Sequence, residues 1–307
     1  MKKVVVTGAK GFIGRHTLKN LRDRNFEIHA IVSKNVPDID LNNCHWHLAN
    51  LLDINQIQQL FEQLKPTHLL HFAWCYSMPG KYWQAEDNFL WVQASLAMLK
   101  QFQAQGGQRV VISGTCAEYD WNYGYCSEFL TPKNPSSPYG ICKNALQEML
   151  QSYAKLTNLS SAWGRIFLPY GLYEYADRLV PSVICSLLKG EPARCSHGRQ
   201  MRDFLYVQDV ADAFVALLES DVTGPVNIGS GQPIAIKDIV YKIGEQMGRP
   251  DLIQLGAIPA ATNDTPLVIA DVKRLSDEVG FQPTYNLERG IEETINWWRS
   301  DRSQEGK

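Results

Sequence analysis

Residues 2–14 of the chain read KKVVVTGAKGFIG, an apolar run followed by glycines at positions 8, 11 and 14. The run predicts a buried strand, and the glycines then open a helix, which is the context of a dinucleotide-binding fingerprint. The first glycine permits a tight turn, the second lets the backbone approach a pyrophosphate, and the third allows close helix–strand packing. The pyrophosphate would lie on unpaired N–H groups at the positive end of the helix. The predicted cofactor-binding loop comprises Gly8, Gly11, Phe12, Ile13 and Gly14.

The first half of the chain alternates β-rich and helical runs. This alternation is typical of an α/β fold, here a Rossmann-type doubly wound parallel sheet. The run at 160–167 is expected to close the main sheet. The predicted strands are 2–7, 27–32, 45–49, 67–72, 109–113 and 160–167, and the predicted helices are 13–24, 54–65, 84–105 and 139–156.

The two parts of the chain differ in character. Residues 1–168 carry the alternation and are predicted to form an NAD(P)-binding Rossmann domain. Residues 169–307 mix short helices, strand runs and turns, which predicts mainly a smaller α+β substrate-binding lobe. Residues 204–220 have the pattern of a strand and a helix that return to the first domain, so a single cut does not divide the chain.

Composition excludes several classes of protein. The 307 residues carry a formal net charge of -2, which gives no basic footprint for nucleic acid. No stretch reaches the roughly 18 to 20 uninterrupted apolar residues of a membrane-spanning helix, and glycines break the first apolar run before it could form a signal core. We expect a cytoplasmic protein with neither a nucleic-acid nor a membrane partner.

Cysteine usage indicates reduced thiols rather than a metal site. Seven cysteines are scattered without a C-x-x-C spacing. Cys44, His45 and His47 could share a strand, with both histidines on one face. A structural zinc site usually needs four ligands, and a fourth is not evident. The sequence therefore predicts no metal site.

The residues after the second predicted strand bear on the choice of cofactor. An NAD site usually has an acidic residue about 20 positions beyond the glycines, bound to the ribose. This chain continues with Val32-Ser33-Lys34-Asn35 and has no carboxylate there. Ser33 and Lys34 could hold a 2′-phosphate, so NADP(H) is favoured, with NAD(H) as the alternative.

Tyr139 and Lys143 lie four residues apart and therefore on one face of a predicted helix. The spacing alone carries little weight, but the pair follows Ser113-Gly114-Thr115, at the ligand-binding end of a predicted strand. A free tyrosine has a pKa near 10, and an adjacent Lys143 cation would favour its phenolate. Thr115 could donate to a substrate oxygen while Tyr139 transfers the proton.

Together with the glycine motif, this order resembles the extended short-chain dehydrogenase/reductase family, of the NAD-dependent epimerase/dehydratase type that modifies nucleotide sugars. The resemblance covers nearly the whole chain. It implies that Thr115, Tyr139 and Lys143 are catalytic and that Lys143 also holds the nicotinamide ribose. It further implies a homodimer formed through the helices at about 88–105 and 139–156.

Other segments carry the same resemblance. His71-Phe72-Ala73-Trp74 is similar to the family's H-x-A-A strand end, and Asn50-Leu51 stands where Asp-Leu often flanks the adenine. The segment that begins at Arg202 is similar to R-D-F/Y-x-x-V-x-D, whose arginine grips the substrate diphosphate. The implied cofactor contacts, besides Tyr139 and Lys143, are Asn50, Leu51, Phe72, Ala73, Trp74, Asn88, Ser113 and Phe167. The implied substrate contacts are Cys116, Arg178 and Arg202.

Departures from the family pattern narrow the reaction. Family dehydratases carry an Asp–Glu pair after the threonine, where this chain has Cys116 and Ala117, and Glu118 comes one place too late. A one-residue shift turns a side chain to the other face of a strand. The 3,5-epimerising reductases use a cysteine–histidine pair, but Ala117 takes the cysteine's place and no histidine lies between positions 72 and 196. Dehydration and 3,5-epimerisation are both disfavoured.

The remaining set suits simple hydride and proton transfer on a nucleotide-diphosphate sugar. We expect an NAD(P)-dependent oxidoreductase, a 4-ketoreductase with Tyr139 as proton donor. A 4-epimerase that holds NAD tightly is the alternative, and a non-catalytic NAD(P)-binding sensor or scaffold is the second alternative. Leu168 stands where the family usually has asparagine, which removes one polar sugar contact. The aromatic loop 74–83 is expected to shape the sugar pocket.

Overall fold

The computed structural model describes residues 2–36, 42–74, 81–260 and 264–305. Its centre is a parallel sheet of seven strands within these ranges, which confirms the predicted Rossmann-type architecture. With strands numbered along the chain, the order across the sheet is β3 (Cys44–Leu48), β2 (Glu27–Val32), β1 (Lys3–Thr7), β4 (His68–His71), β5 (Arg109–Thr115), β7 (Ser160–Ile166) and β11 (Gly224–Ile228).

The expectation that the run at 160–167 closes the sheet is wrong. β11 pairs in parallel with β7, from Gly224 opposite Ala162 to Ile228 opposite Ile166, and so takes the edge position. This pairing joins residues about 60 positions apart, and the pattern within either strand does not reveal it.

The apolar run of β1 is buried on both faces, as expected for a central parallel strand. Val4 and Val6 contribute to one core cluster, while Val5 contributes to the cluster on the opposite face. Helices α1 (Gly14–Asp23) and α6 (Val207–Glu219) cover the first face. Helices α2 (Ile54–Leu64), α3 (Asp87–Ala104) and α4 (Pro138–Thr157) cover the second.

The start of α4 is fixed by capping, which matters because this helix carries Tyr139 and Lys143. The side chain of Ser137 accepts the backbone N–H of Gly140 at 3.2 Å, and Pro138 occupies the first turn, where its missing N–H costs nothing. The helix ends at Asn158, whose φ of 55° is left-handed. Both ends therefore follow from local sequence.

A second, smaller sheet follows the main one. Within the described residues it contains β12 (Pro233–Ala235), β10 (Met201–Tyr206), β14 (Leu267–Ala270) and β6 (Tyr125–Cys126), with β8 (Leu168–Tyr170) paired to β10. A separate pair joins β9 (Ala193–Arg194) to β13 (Ile253–Gln254). Helices α5 (Leu179–Leu188), α7 (Ile236–Gln246) and α8 (Leu287–Glu305) pack with this part of the chain.

The segment 204–220 differs in part from its predicted placement. Helix α6 packs on α1 and the main sheet, but residues 204–206 belong to β10 of the second sheet. The reason is that β8 leaves the main sheet directly after β7 and supplies the parallel partner for β10. Conversely, β11 lies within the part predicted to be mainly the second lobe, yet it joins the main sheet. The division into domains at residue 168 stays a prediction.

Candidate active site

A cavity of about 510 Å³ opens at the carboxyl ends of the central strands. β1 and β4 are neighbours there although they are far apart in the chain, so their exits diverge at the topological switch point where such sheets bind ligands. Most of the predicted site residues line this cavity. They are Gly8, Gly11, Phe12, Ile13, Gly14, Ser33, Lys34, Asn50, Leu51, Phe72, Ala73, Trp74, Ser113, Tyr139, Lys143 and Arg178.

The glycine loop is tight enough to exclude side chains. Gly8 has a φ of +66°, and the N–H of Gly11 donates to the Gly8 carbonyl at 2.8 Å. A Cβ on Gly8 would lie 2.9 Å from the backbone nitrogen of Ala73, and one on Gly14 would overlap the Gly8 carbonyl oxygen. The bare backbone thus forms a cradle at the start of α1, and this donor set fits the diphosphate of a dinucleotide.

A buried hydrogen-bond chain fixes the two strand exits against each other. The Thr7 hydroxyl oxygen accepts the N–H of Ala73 at 3.2 Å and lies 2.6 Å from Nδ1 of His71. Nε2 of His71 contacts Ser95 at 3.0 Å. Burial lowers the pKa of His71 to about 3, so the ring is neutral and serves as a structural link. The sequence alone did not reveal this series of hydrogen bonds, because the bonded residues are about 24 to 66 positions apart.

The far end of the cavity lies beside the second and third strands. Ser33 and Lys34 are exposed at its rim, and Asn50 and Leu51 line the wall. No carboxylate lies at the end of β2 among the described residues up to position 36. A lysine and a hydroxyl are groups that can bind a phosphate.

Tyr139 and Lys143 point into the middle of the cavity, one turn apart on α4. Nζ of Lys143 donates to the carbonyl of Ser113 at 2.8 Å and lies 3.8 Å from the centre of the Trp74 ring. The Thr115 hydroxyl is within hydrogen-bonding reach of the Tyr139 phenol. Thr115 itself is buried at the end of β5 and is not part of the cavity lining. The structure brings the three predicted catalytic residues together.

Burial opposes the ionisation of Tyr139 that Lys143 is expected to favour. Burial raises the pKa of Tyr139 far above its usual value, and the hydrogen bond from Thr115 offsets only part of the effect. Burial also lowers the pKa of Lys143 to about 7, although the Glu118 carboxylate opposes this shift. A lysine with a pKa of about 7 is only partly charged at neutral pH, so it favours the phenolate less than a full cation would, and the phenol stays protonated.

The strand end that holds Thr115 rests on a buried ion pair. Glu118 accepts the Thr115 N–H at 2.9 Å, the Trp163 indole N–H at 2.9 Å and Nε of Arg165 at 2.6 Å. Its side chain is fully buried. Glu118 is therefore held outside the cavity lining, although by a short 3₁₀ turn over Cys116–Glu118 and not by the strand alternation that the one-residue shift assumed. The Thr115 oxygen accepts the Ala117 N–H at 3.2 Å, so the hydroxyl proton can point to the Tyr139 oxygen or, in its place, to a ligand oxygen.

Four residues implied as ligand contacts lie outside the cavity lining. Asn88 is buried and bonds the Trp74 indole and the carbonyls of Tyr82 and Ala85. Its role is to fix the aromatic segment, because all three of these contacts are to protein. Phe167 and Cys116 pack instead in a small apolar cluster beneath the second sheet.

Arg202, the fourth of these residues, forms an ion pair within the protein. Its guanidinium pairs with the Asp264 carboxylate and donates to the Thr265 carbonyl at 2.8 Å. A buried cation must be paired, and Asp264 satisfies this need within the protein. A diphosphate would have to displace that carboxylate.

Two residues of the predicted aromatic loop 74–83 enclose Tyr139. The rings of Tyr82 and Trp83 meet the Tyr139 ring edge-on, with centroids 5.0 and 5.4 Å away. Tyr82 also lies within hydrogen-bonding reach of Arg178. Both belong to the predicted aromatic loop, of which residues 75–80 lie outside the described part of the chain.

The histidines of the sheet edge do not form a metal site. His47 contacts His29 at 2.9 Å, and His29 in turn contacts Glu27. These contacts give hydrogen-bond partners to ring nitrogens of His29 and His47 at the polar edge of the sheet. Within the described ranges, no group of three or more metal-ligating side chains is assembled, and no helix is long and apolar enough to cross a membrane.

Comparisons with known proteins agree with this geometry. The model of the NAD dependent epimerase/dehydratase family matches residues 4–229. CDP-abequose synthase from Salmonella typhimurium is 26% identical, over 95% of this chain and 97% of the relative. UDP-glucose 4-epimerase from Rhizobium leguminosarum bv. trifolii is also 26% identical, over 96% of both chains. The solved UDP-N-acetylglucosamine 4-epimerase from Methanobrevibacter ruminantium M1 superposes with a TM-score of 0.88 at 25% identity, covering 98% of this chain and 99% of the other.

Proposed function

Because the chain belongs to the NAD-dependent epimerase/dehydratase family, we propose that it reduces the 4-keto group of a nucleotide-diphosphate sugar, with Tyr139 as the proton donor. One observation carries the proposal: burial keeps the Tyr139 phenol protonated beside the Thr115 hydroxyl. A protonated phenol is ready to give its proton to a developing alkoxide, as reduction requires. Oxidation would first need a phenolate, which burial opposes.

The chain's own residues supply orientation and the proton. A nicotinamide, when bound, supplies the hydride. The Thr115 hydroxyl donates a hydrogen bond to the carbonyl oxygen of the sugar and polarises it. As the carbonyl carbon gains the hydride, Tyr139 transfers its proton to that oxygen, so the ketone becomes an alcohol. Lys143, when charged, stabilises the phenolate that remains until solvent returns the proton.

We assign NADP(H) as the preferred cofactor within this NAD-dependent family. The support is the pair Ser33 and Lys34 at the cavity rim, where the described residues offer no carboxylate to a ribose diol. An ammonium and a hydroxyl suit a phosphate.

The substrate class follows from the cavity and the relatives. Relatives are named for making CDP-abequose or for epimerising UDP-glucose, so a nucleotide-diphosphate sugar is the expected class. We assign its diphosphate to Arg178, an arginine of the cavity lining, since Arg202 is paired with Asp264. We keep a cytoplasmic location, with the reduced thiols of Cys44, Cys126 and Cys142 in support.

A 4-epimerase is the second candidate, favoured by the names of several relatives. It would use the same three residues, oxidising and then reducing the sugar with its cofactor retained. A non-catalytic sensor is the third candidate, and the preserved proton donor speaks against it.

We also propose a homodimer formed through α3 and α4. The two helices pack side by side and present exposed apolar side chains. A shallow groove between them is lined by Leu96, Leu99, Met149, Tyr153 and Leu156, among others. Contiguous exposed apolar surface of this kind marks an interaction face. The exposed apolar residues of the two helices are Phe89, Leu90, Ile141, Met149 and Leu156.

The experiment is a turnover assay with CDP-, UDP- and dTDP-linked 4-keto sugars. The protein is mixed with NADPH or NADH, and the absorbance of reduced nicotinamide is followed while the sugar product is identified. We expect one nicotinamide to be oxidised for each 4-keto sugar reduced. Interconversion of 4-epimers without net nicotinamide oxidation would replace the proposal with the epimerase. Cofactor binding without either reaction would favour the sensor.

A further inference from the structure

Glu174 lies in the segment that follows β8, next to the glycine loop. The neighbouring residue Tyr173 packs against the first turn of α1, with its ring 3.8 Å from the guanidinium carbon of Arg15 and 5.9 Å from the His16 ring. The Glu174 side chain is only 8% exposed, and it lines the same cavity as the glycine cradle. A buried carboxyl group therefore lines the cavity in which α1 offers its N–H groups to an anion, one residue away from a side chain that packs on the first turn of α1.

One oxygen of this carboxyl group is unsatisfied. Oε2 has no hydrogen-bond partner among the described residues, although it is buried. Oε1 lies 3.8 Å from Nε of Arg178, which is beyond hydrogen-bonding distance. Buried polar atoms are nearly always hydrogen-bonded, so an orphan atom on a residue that lines a ligand cavity is available to a bound ligand or to water.

The surroundings of Glu174 favour its protonated form, in which the carboxyl group can donate a hydrogen bond. Burial raises its pKa to about 8, while Arg178 and the Gly171 N–H oppose the shift. Arg178 is the cation whose charge lowers the pKa of Glu174. Its side chain is 43% exposed, so solvent screens that charge. The other titratable groups of the cavity wall and of the adjoining turn of α1 are Lys10, Arg15, His16, Lys34, Tyr82, Tyr139, Lys143 and Tyr175.

We infer that the Glu174 carboxyl donates a hydrogen bond to a diphosphate oxygen of the bound dinucleotide and that deprotonation of Glu174 weakens dinucleotide binding. This inference rests on the dinucleotide site of the proposed function. A neutral carboxyl group complements an anionic oxygen, whereas a carboxylate at the same place would repel it. The phosphate cradle would therefore contain one acidic group that sets the upper pH limit for cofactor binding.

The test measures NADPH binding by fluorescence titration from pH 6.5 to 9.5, without substrate. Glu174→Gln keeps an N–H donor and cannot ionise, and Glu174→Ala removes the donor. The matched control is Glu191→Gln, since Glu191 is exposed and does not line the cavity. Lys143 loses its proton in the same pH range, so the informative quantity is the ratio of wild-type to E174Q dissociation constants, in which the contribution of Lys143 cancels.

With a pKa of about 8, we expect this ratio to rise about tenfold between pH 7 and pH 9. We expect E174A to bind at least about tenfold more weakly than wild type at pH 7, the effect of losing a hydrogen bond to a charged group. E191Q should follow wild type throughout. An unchanged ratio, or E174A binding as tightly as wild type, would overturn the inference and leave the proposed function intact. If folded wild type binds no dinucleotide at any pH, the proposed function and the inference both fail.

Discussion

Tyr139 shows how far surroundings change a residue's chemistry. Its spacing from Lys143 suggests an activated base, but the enclosing rings of Tyr82 and Trp83 exclude water and keep the phenol protonated. The same pair of residues therefore rests in the protonated form from which a reduction starts. The proposed reduction uses this resting form as its proton source.

Beneath the catalytic residues, Glu118 is the main electrostatic support of the strand end. Glu118→Gln leaves the Arg165 cation buried without a counter-ion, because both side chains are fully buried. Breaking such a pair typically costs about 3 to 5 kcal/mol in the free energy of unfolding. Urea denaturation measures this loss. The control Asp251→Asn breaks an exposed pair with Arg249 and should cost less than about 1 kcal/mol. Equal losses in the two variants would contradict the role of Glu118.

Lys34 determines the expected cofactor preference. Lys34→Ala should weaken NADPH binding about tenfold or more, because it removes a charge-assisted contact to the 2′-phosphate. NADH binding should stay the same, since NADH lacks this phosphate. Calorimetric titration of both cofactors tests this, with Lys19→Ala as the control because Lys19 is exposed on α1 and does not line the cavity. A parallel loss for NADH would show that Lys34 does not read the phosphate.

Among the elements, the loop between β1 and α1 depends most on its exact backbone. Gly8 and Gly248 have nearly equal φ values, +66° and +69°, but of the two only Gly8 has neighbouring atoms within 4 Å of the place a Cβ would take. Gly8→Ala and Gly248→Ala should each lose roughly 1 to 2 kcal/mol of stability from the left-handed backbone. Only Gly8→Ala should also lose dinucleotide binding, because its methyl group pushes Ala73 out of place. Thermal melts measure the loss of stability, and cofactor titration measures dinucleotide binding. Equal dinucleotide binding by the two variants would contradict the role of the glycine loop as the dinucleotide cradle.

Local sequence patterns predict most of the helices and strands, whereas the features that depend on contacts between distant residues could not be predicted. The strands of the first half and helix α4 could be predicted, because burial periodicity and the Ser137–Pro138 cap are local signals. The edge position of β11 could not, since it depends on pairing with β7. The candidate site divides in the same way. The glycine loop follows from spacing, whereas the pairing of Arg202 with Asp264 depends on a loop about 60 residues away.

At the scale of the whole molecule, the exposed face of α3 and α4 predicts association. Leu156 on this face is 81% exposed, and Leu130, which lies after β6, is 85% exposed, so the two make a matched pair. Leu156→Glu should convert the dimer to a monomer of 34.7 kDa, because a charge in an apolar interface must be desolvated. Leu130→Glu should leave the dimer intact. Light scattering after size-exclusion chromatography gives the masses, and a monomeric wild type would remove the dimer proposal.

The most direct measurement of the central claim is the kcat of Tyr139→Phe for NADPH-dependent reduction of the 4-keto sugar. Removing the proton donor should lower kcat by about 10² to 10⁴-fold while NADPH binds as in wild type. Tyr241→Phe, which alters an exposed tyrosine on α7, should keep wild-type turnover. If Tyr139→Phe reduces the sugar as fast as Tyr241→Phe, then Tyr139 is not the proton donor and the account is wrong.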